Sequence, residues 1–484
     1  MKRHQDTLRR VQEREQLFES APVRVAVAKQ VIPSVASQMV ALLYTSADTF
    51  FVGLLGAPAQ TAAVHVANPS FMFLTAISNL FGVGGASVIA RMLGRHEREK
   101  ASQVASFCFW GGAAASLLFS LLFFLLHVPI LSVCGATEDT FETARQYAFY
   151  VIVAGALPTV LSTLLSNLTR AEGRAGAASA GMIFGSLLNI ALDPLFIFAF
   201  DMGVAGAAVA TVLSQLASCV YVLCVLFGRS VQVRIGFGGY SLKLIGRILI
   251  TGISPFLIIF VDSVMIISMN AVLQSYGGPE LGDRLITCAT IAQSFMLVVT
   301  MPLGGISGGT QTILAFNFGA HRRDRILEAQ KHITLLCVGY TAIMFALARL
   351  AGGLFVRLFT SEADLAAEAL SAIRVCTLAV IPLGVQYAIV DGFTGMAQVK
   401  LALPLSAFRK IVYFAALFAL PAAFGATAAF FAETVSDLFP PLIPMVVYWK
   451  RRNWIIQEAA SHCRLEEAPK PALQQPALGH AQTV

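Results

Sequence analysis

Charge is scarce in this chain of 484 residues: Asp, Glu, Lys and Arg together make up 13% of it, against about 25% in an ordinary soluble domain. Cysteine is present without pattern. Cys108, Cys134, Cys219, Cys224, Cys288, Cys337, Cys376 and Cys463 form no CxxC pair and no Cys/His cluster. That excludes a disulfide framework or a structural zinc site, and the eight read as small buried apolar residues. No HExxH, GxSxG or paired His/Asp motif lies in the apolar stretches, so nothing points to a membrane-embedded enzyme. A nucleotide-binding loop and a soluble ATPase domain are lacking too, which leaves an ion gradient as the energy source. The excess of bases, net +7, is not interleaved with aromatics as a nucleic-acid surface requires, so a nucleic-acid partner is excluded.

What is abundant is apolar sequence. The hydrophobic set reaches 57% of the chain, and mean hydropathy is +0.73. Stretches of about 20 apolar residues recur throughout, each long enough to cross a bilayer and too uniformly apolar for barrel strands. An all-α membrane protein of twelve spans is predicted, at 24–52, 59–92, 103–127, 141–169, 175–200, 203–228, 244–275, 283–317, 328–352, 363–395, 399–422 and 426–449. The first apolar stretch, 23–55, is too long for a signal-peptide core and reads as span 1.

The bases sort by side. They crowd the N-terminus, the loop after span 2 (Arg91, Arg95, Arg98, Lys100), the loop after span 4 (Arg170, Arg174), the central linker and the loop after span 8 (Arg322, Arg323, Arg325). Lys400, Arg409, Lys410 and the run 450–452 complete that set, and Arg374 is the one base placed clearly within a span. Arg145, Arg284, Arg349 and Arg357 are the exceptions. The positive-inside rule puts both termini in the cytoplasm of a plasma (inner) membrane protein. The organisation is then a tail at 1–22, an N-lobe at 23–228, a linker at 229–243, a C-lobe at 244–450 and a Pro- and Gln-containing tail at 451–484 that reads as disordered. Nothing in the tails specifies an oligomer.

The halves repeat at an offset of about 224 residues. Ser70-Phe71-Met72 recurs as Ser294-Phe295-Met296, Gly84-Gly85 as Gly308-Gly309, and Gly94 and His96 as Gly319 and His321. Pro33, Pro158 and Pro194 match Pro255, Pro382 and Pro421. Six spans per half return the chain to its starting side, so the repeats are parallel and favour a central cleft between two bundles. Two acids break the symmetry: Asp48 aligns with Asn270, and Asp193 with Leu420.

The run PSVASQMVALLYTSADTFFVGLLG at 33–56, GVGGASVIARMLG at 82–94 and NIALDPLFIF at 189–198 resemble the multidrug and toxic compound extrusion (MATE) family, over about residues 20–450 and closest to its DinF-like branch. The resemblance implies two six-helix lobes in a V around a cavity (the MATE/MOP-type fold). It implies cation-coupled export of small organic, cationic or amphipathic compounds. It also implies an N-lobe cluster in which Asp48 and Asp193 face each other, supported by Tyr44, Asn189 and Thr211, with a further polar position at Ser166 or Asn167.

A charged carboxylate in hydrocarbon costs about 2.5–3.5 kcal/mol, so a cation that neutralises it is bound with energy of that order. Either H⁺ or Na⁺ suits, since the oxygens of Asp48, Asn189, Asp193 and Thr211 are hard ligands; no other cofactor is implied. Tyr44 and Asp48 share a helix face at i, i+4, as do Asn189 and Asp193. Other readings stand beside these: Asp48 as a helix-end residue, Asp193 as a brace for a Pro194 kink, Pro33 as an architectural bend rather than a coupling hinge, His65 as a buried histidine, and the glycine pairs as packing positions. Asp262 and Asp391 are candidate C-lobe polar sites, Asp391 also reading as a loop-facing acid. Of the expected partners, small organic solutes and membrane lipid fit the composition. A lipid-linked oligosaccharide flippase is the alternative function, and it would need a strongly cationic cleft.

Overall fold

The computed structural model describes residues 16–55, 58–134, 136–228, 231–238, 241–360 and 362–450. The expected tails at 1–15 and 451–484, Cys463 and the side chain of His65 lie outside that description. Among the described residues there is no strand. Ten helices are long and apolar enough to span a membrane, and two bent helix pairs bring the total to twelve. Spans 1 to 3 are Val23–Gly53, Pro58–Gly94 and Arg98–Val133; spans 5 and 6 are Ala175–Ala199 and Gly203–Leu226. Spans 7 and 8, Leu242–Gly278 and Leu281–Gly319, meet at Gly278, whose φ of 68° turns the chain where a side chain would be strained. Spans 9, 11 and 12 are Arg323–Leu350, Val399–Phe424 and Ala426–Lys450.

Spans 4 and 10, read from sequence as single spans at 141–169 and 363–395, are each broken in two. Thr140–Ala154 meets Ala156–Ala171 at 51°, and Ala363–Cys376 meets Val380–Gly395 at 45°. Proline is the cause. Pro158 and Pro382 each stand third in the second piece and donate nothing to the carbonyl four residues back, Ala154 and Leu378. The π-turn Phe149–Ala154 widens the backbone just before the first break. The same event at the same place in each half makes the repeat structural. So do the caps: His96 and His321 end spans 2 and 8 at φ 59° and 56°. Pro33, by contrast, sits inside an uninterrupted helix.

The lobes meet at the end that carries the bases. Gly94 lies against the Phe316 carbonyl and Gly319 against the Arg91 carbonyl, so spans 2 and 8 cross reciprocally where no side chain intervenes. Gly252 abuts Leu80 of span 2, and Gly309 abuts Ser34 of span 1. The Ser87 hydroxyl donates to the Gly395 carbonyl at 2.7 Å. Phe18 wedges beneath the junction, 5.2 Å from the Phe316 ring and against Gly173. Arg325 donates to the Ala21 carbonyl at 2.8 Å. This basic end is closed. Towards the other end, spans 1 and 8 expose hydroxyls, Thr45 and Thr49 on one and Thr287 and Thr290 on the other, each bonded back to its own helix.

The linker packs on span 3: Gly236 N–H donates to Ser106 Oγ at 2.8 Å, and Trp110 Nε1 to the Gly236 carbonyl at 3.0 Å. Two of the bases that break the sidedness pattern sit beside carboxylates, Arg145 by Glu142 at 3.0 Å and Arg284 by Glu368 at 2.9 Å. Three others were misplaced by sequence. Arg409 and Lys410 lie about 15 Å inside span 11, ten and eleven residues from its start, and Arg170 is in the last turn of span 4 rather than the loop. Arg374 is therefore not the one base within a span. The sidedness count grouped Arg409 and Lys410 with the loop bases although both fall within the expected span 11 at 399–422, and it could not see the acids that neutralise them.

Candidate cation-exchange site

Three spans bring the N-lobe cluster together. Span 1 carries Tyr44 and Asp48 on one face, span 5 carries Asn189 and Asp193 one turn apart, and span 6 supplies Thr211. Asn189 Nδ2 donates to Thr211 Oγ1 at 3.4 Å. Asn189 is 1% exposed and Asp193 0%. Asp48 and Asp193 are within electrostatic reach of one another, and the Tyr44 phenol is within reach of both. Tyr44, Asn189 and Thr211 also line a chamber of about 100 Å³ with Ser162 and Gln215. Phe51 and Phe198 stack edge to face 6.4 Å apart on spans 1 and 5, beyond the two acids.

The decisive feature is what the carboxylates do not touch. Asp48 Oδ1, both Asp193 oxygens and Asn189 Oδ1 are buried and make no close hydrogen bond in the protein, although the Asn189 side chain lies near enough to interact with the Asp193 carboxylate. Leaving a buried acceptor unpaired costs about 1–3 kcal/mol, and more for a charged one. Four buried hard oxygens on adjacent spans 1 and 5 are of the donor type that a proton or Na⁺ satisfies. Asp48 is not at a helix end, because span 1 continues to Gly53. Asp193 does not brace the Pro194 turn, because neither oxygen bonds the backbone.

Residues 33–195 and 258–419 match the MatE family model, one block in each lobe. The chain belongs to the MatE family. It is similar to the multidrug export protein MepA of Staphylococcus aureus, 26% identical over 443 residues that cover 90% of this chain and 96% of the relative. The MepA of Staphylococcus saprophyticus is 24% identical over 449 residues, 92% of this chain and 97% of that one. Among solved structures, MATE in complex with MaD3S superposes with a TM-score of 0.85 at 24% identity, over 92% of this chain and 99% of that one. An outward-facing multidrug resistance MATE transporter of the MOP superfamily gives 0.83 at 24% identity, over 91% and 98%. The fold is that of the MATE transporters, and this MatE chain is a transporter, not an enzyme.

Sequence reasoning missed several residues of the MatE N-lobe site. Tyr147 of span 4 lies within electrostatic reach of Asp48, Tyr44 and Asp193. Its signal was the buried stripe Ala144, Tyr147, Ala148 and Val151. Ser162 and Thr163, not Ser166 or Asn167, are the span-4 residues with hydroxyls that line the chamber, and Ser162 donates to Gln215 Oε1 at 2.6 Å. Ser166 donates to its own helix at Ser162 O, 2.8 Å away, and Asn167 lines a separate chamber between the lobes. Gln215 stands at i+4 from Thr211, a spacing visible in sequence.

The C-lobe of this MatE chain holds a contrasting cluster on the equivalent spans. Lys410 of span 11 pairs with Asp262 of span 7, and Arg409 pairs with Asp437 of span 12 at 2.6 Å. Glu433 is within reach of all four. Asp437 is 0% exposed and Lys410 5%. Here three acids share two tethered bases, whereas the N-lobe acids have none. Asp391 is not loop-facing: it sits within span 10 and accepts a hydrogen bond from Ser307 of span 8 at 2.5 Å.

Proposed function

We propose that this transporter exports small organic, cationic or amphipathic compounds in exchange for H⁺ or Na⁺ by alternating access. The observation that carries the reading is the pair of N-lobe carboxylates with orphaned oxygens. Such a site is held at a cost of a few kcal/mol until a cation arrives. Cation binding draws Asp48 of span 1 and Asp193 of span 5 together, narrows the N-lobe chamber and expels the compound. Pro33 is the hinge at which span 1 responds, since its ring leaves the Lys29 carbonyl without an in-helix donor. The basic end faces the cytoplasm of the plasma membrane, so the closed end seen here makes this the outward-facing state. The multidrug export activity of the MepA relatives supports the substrate class.

A flippase for lipid-linked sugars is the weaker reading. Arg409 and Lys410 are neutralised by carboxylates, which leaves Arg170 as the base on the inter-lobe chamber, short of a strongly cationic cleft.

Proteoliposomes given a proton gradient or a sodium gradient separately test the proposal. Wild type accumulates an organic cation such as ethidium under one gradient and not with both absent. Asp48→Asn, at equal reconstitution, loses about tenfold or more of that uptake. Equal gradient-driven uptake by wild type and variant would sink the exchange mechanism.

A further inference from the structure

We propose that the closed chamber between the lobes is a binding site for one small monovalent anion, a halide or a small carboxylate, held by Arg170. The chamber encloses about 150 Å³. Its walls come from spans 1, 2 and 4 of the N-lobe and span 8 of the C-lobe, with Gly304, Gly305, Gly308 and Gly309 keeping the span-8 side thin. It is distinct from the Asp48–Asp193 cluster and carries no carboxylate in its wall.

Arg170 reaches it from the last turn of span 4. Its Nη1 is 3.5 Å from Asn167 Oδ1, and its Nη2 is 3.5 Å from Ser37 Oγ and 3.1 Å from Met182 Sδ. Each of these neighbours is neutral. Among the described residues no acid forms an ion pair with Arg170 or lies within electrostatic reach of it. Arg170 is half-buried, and a guanidinium partly withdrawn from water without a counter-charge is costly. Arg409, in the same membrane, has Asp437 beside it; Arg170 has no such partner.

A second, independent observation comes from the chamber's other walls. Ser34 is 1% exposed and Thr312 5%, and the hydroxyl of each is buried without a protein partner. Gln38 and Asn79 add amide groups to the same wall. One positive charge, orphaned hydroxyls and no acid select an anion over a cation. A site for a single water needs about 10–15 Å³, so the space admits a halide or a formate-sized carboxylate with its waters. Because both lobes supply the walls, the anion binds only while the basic end is closed, and it stabilises that state by linkage.

The test needs no transport assay. The unfolding midpoint of the purified full-length protein in detergent is measured against sodium bromide, with sodium gluconate holding ionic strength constant. The midpoint of wild type rises and saturates with bromide. Arg170→Gln shows no rise, and Thr312→Val, which keeps the charge, needs about fivefold more bromide for half the effect. Bromide-soaked crystals show an anomalous peak about 3–4 Å from the guanidinium. Formate in place of bromide separates the two sources: a matching rise admits carboxylates, a flat curve restricts the site to halides, and each upholds an anion site. Coincident bromide and gluconate curves, a saturating rise retained in Arg170→Gln, or a chamber without anomalous signal overturns it. Should Arg170→Gln fail to fold, an unchanged bromide midpoint in Thr312→Val overturns it equally.

Discussion

A buried carboxylate has three ways to settle its charge: a base, a proton or an ion. Asp437 takes the first, with Arg409 at 2.6 Å. Asp193, equally buried, has no base beside it, and only the neutral Asn189 side chain stands near its carboxylate. The two sites therefore respond in opposite ways to neutralisation. Asp193→Asn removes a charge that nothing in the protein compensates, so its unfolding midpoint holds or rises while gradient-driven uptake falls about tenfold or more. Uptake at the wild-type level would remove Asp193 from the exchange. Arg409→Met strands Asp437 and Glu433 and lowers stability by about 3–5 kcal/mol. Adding Asp437→Leu recovers much of the loss, read by thermal unfolding of both variants in one detergent. A double variant no more stable than the single one would show that Arg409 contributes by packing rather than by charge.

Among the elements, spans 2 and 8 act as the seal. Their crossing depends on two glycines that let each backbone meet the other's carbonyl, Gly94 on Phe316 and Gly319 on Arg91. A Cβ at Gly319 overlaps main chain rather than a flexible side chain, so the helix itself must shift. Gly319→Ala is expected to weaken the closed end by about 1–3 kcal/mol. Gly308 has open space where a Cβ would point, so a cysteine fits there. In Gly319→Ala that cysteine reacts roughly fivefold or more faster with an impermeant maleimide applied from the basic end. An unchanged rate means the crossing is not the barrier. Spans 4 and 10 make a second elemental pair. Their matched breaks at Pro158 and Pro382 set the two pieces at 51° and 45°, and in span 4 the break separates the segment that carries Tyr147 from the one that carries Ser162.

For the whole molecule, the asymmetry between two similar lobes is the functional statement. Spans 1, 5 and 6 hold acids without bases, whereas the equivalent spans 7, 11 and 12 hold acids with bases, and the proposed exchange of a mobile cation belongs to the first set. The C-lobe holds its own counter-charges, which suits a lobe that moves as a rigid partner. Sidedness belongs to this scale too. His96→Cys, at the basic end, is expected to be labelled by an impermeant thiol reagent only in opened cells. Arg145→Cys, at the opposite end, is expected to be labelled in intact ones. The reverse pattern would invert the topology and with it the outward-facing assignment.

The twelve spans, the two-half repeat and the i, i+4 pairs on spans 1 and 5 were legible from local pattern alone. Hydropathy and helical spacing act over a few turns, and every copy of the chain carries them. The proline matches at 158 and 382 were visible as well, though not the bends they impose, because a bend depends on how neighbouring helices fill the space. What only tertiary structure decided was partnership. Arg409 and Lys410 fell inside the expected span 11 yet were counted with the loop bases, and only the packing of span 11 beside spans 7 and 12 supplied their acids. Tyr147 and Ser162 looked like ordinary span-4 residues until the fold set Tyr147 near the two acids and Ser162 on the chamber with Gln215. Whether a buried charge is matched or left waiting is set by residues dozens to hundreds of positions away, and no local pattern contains that distance.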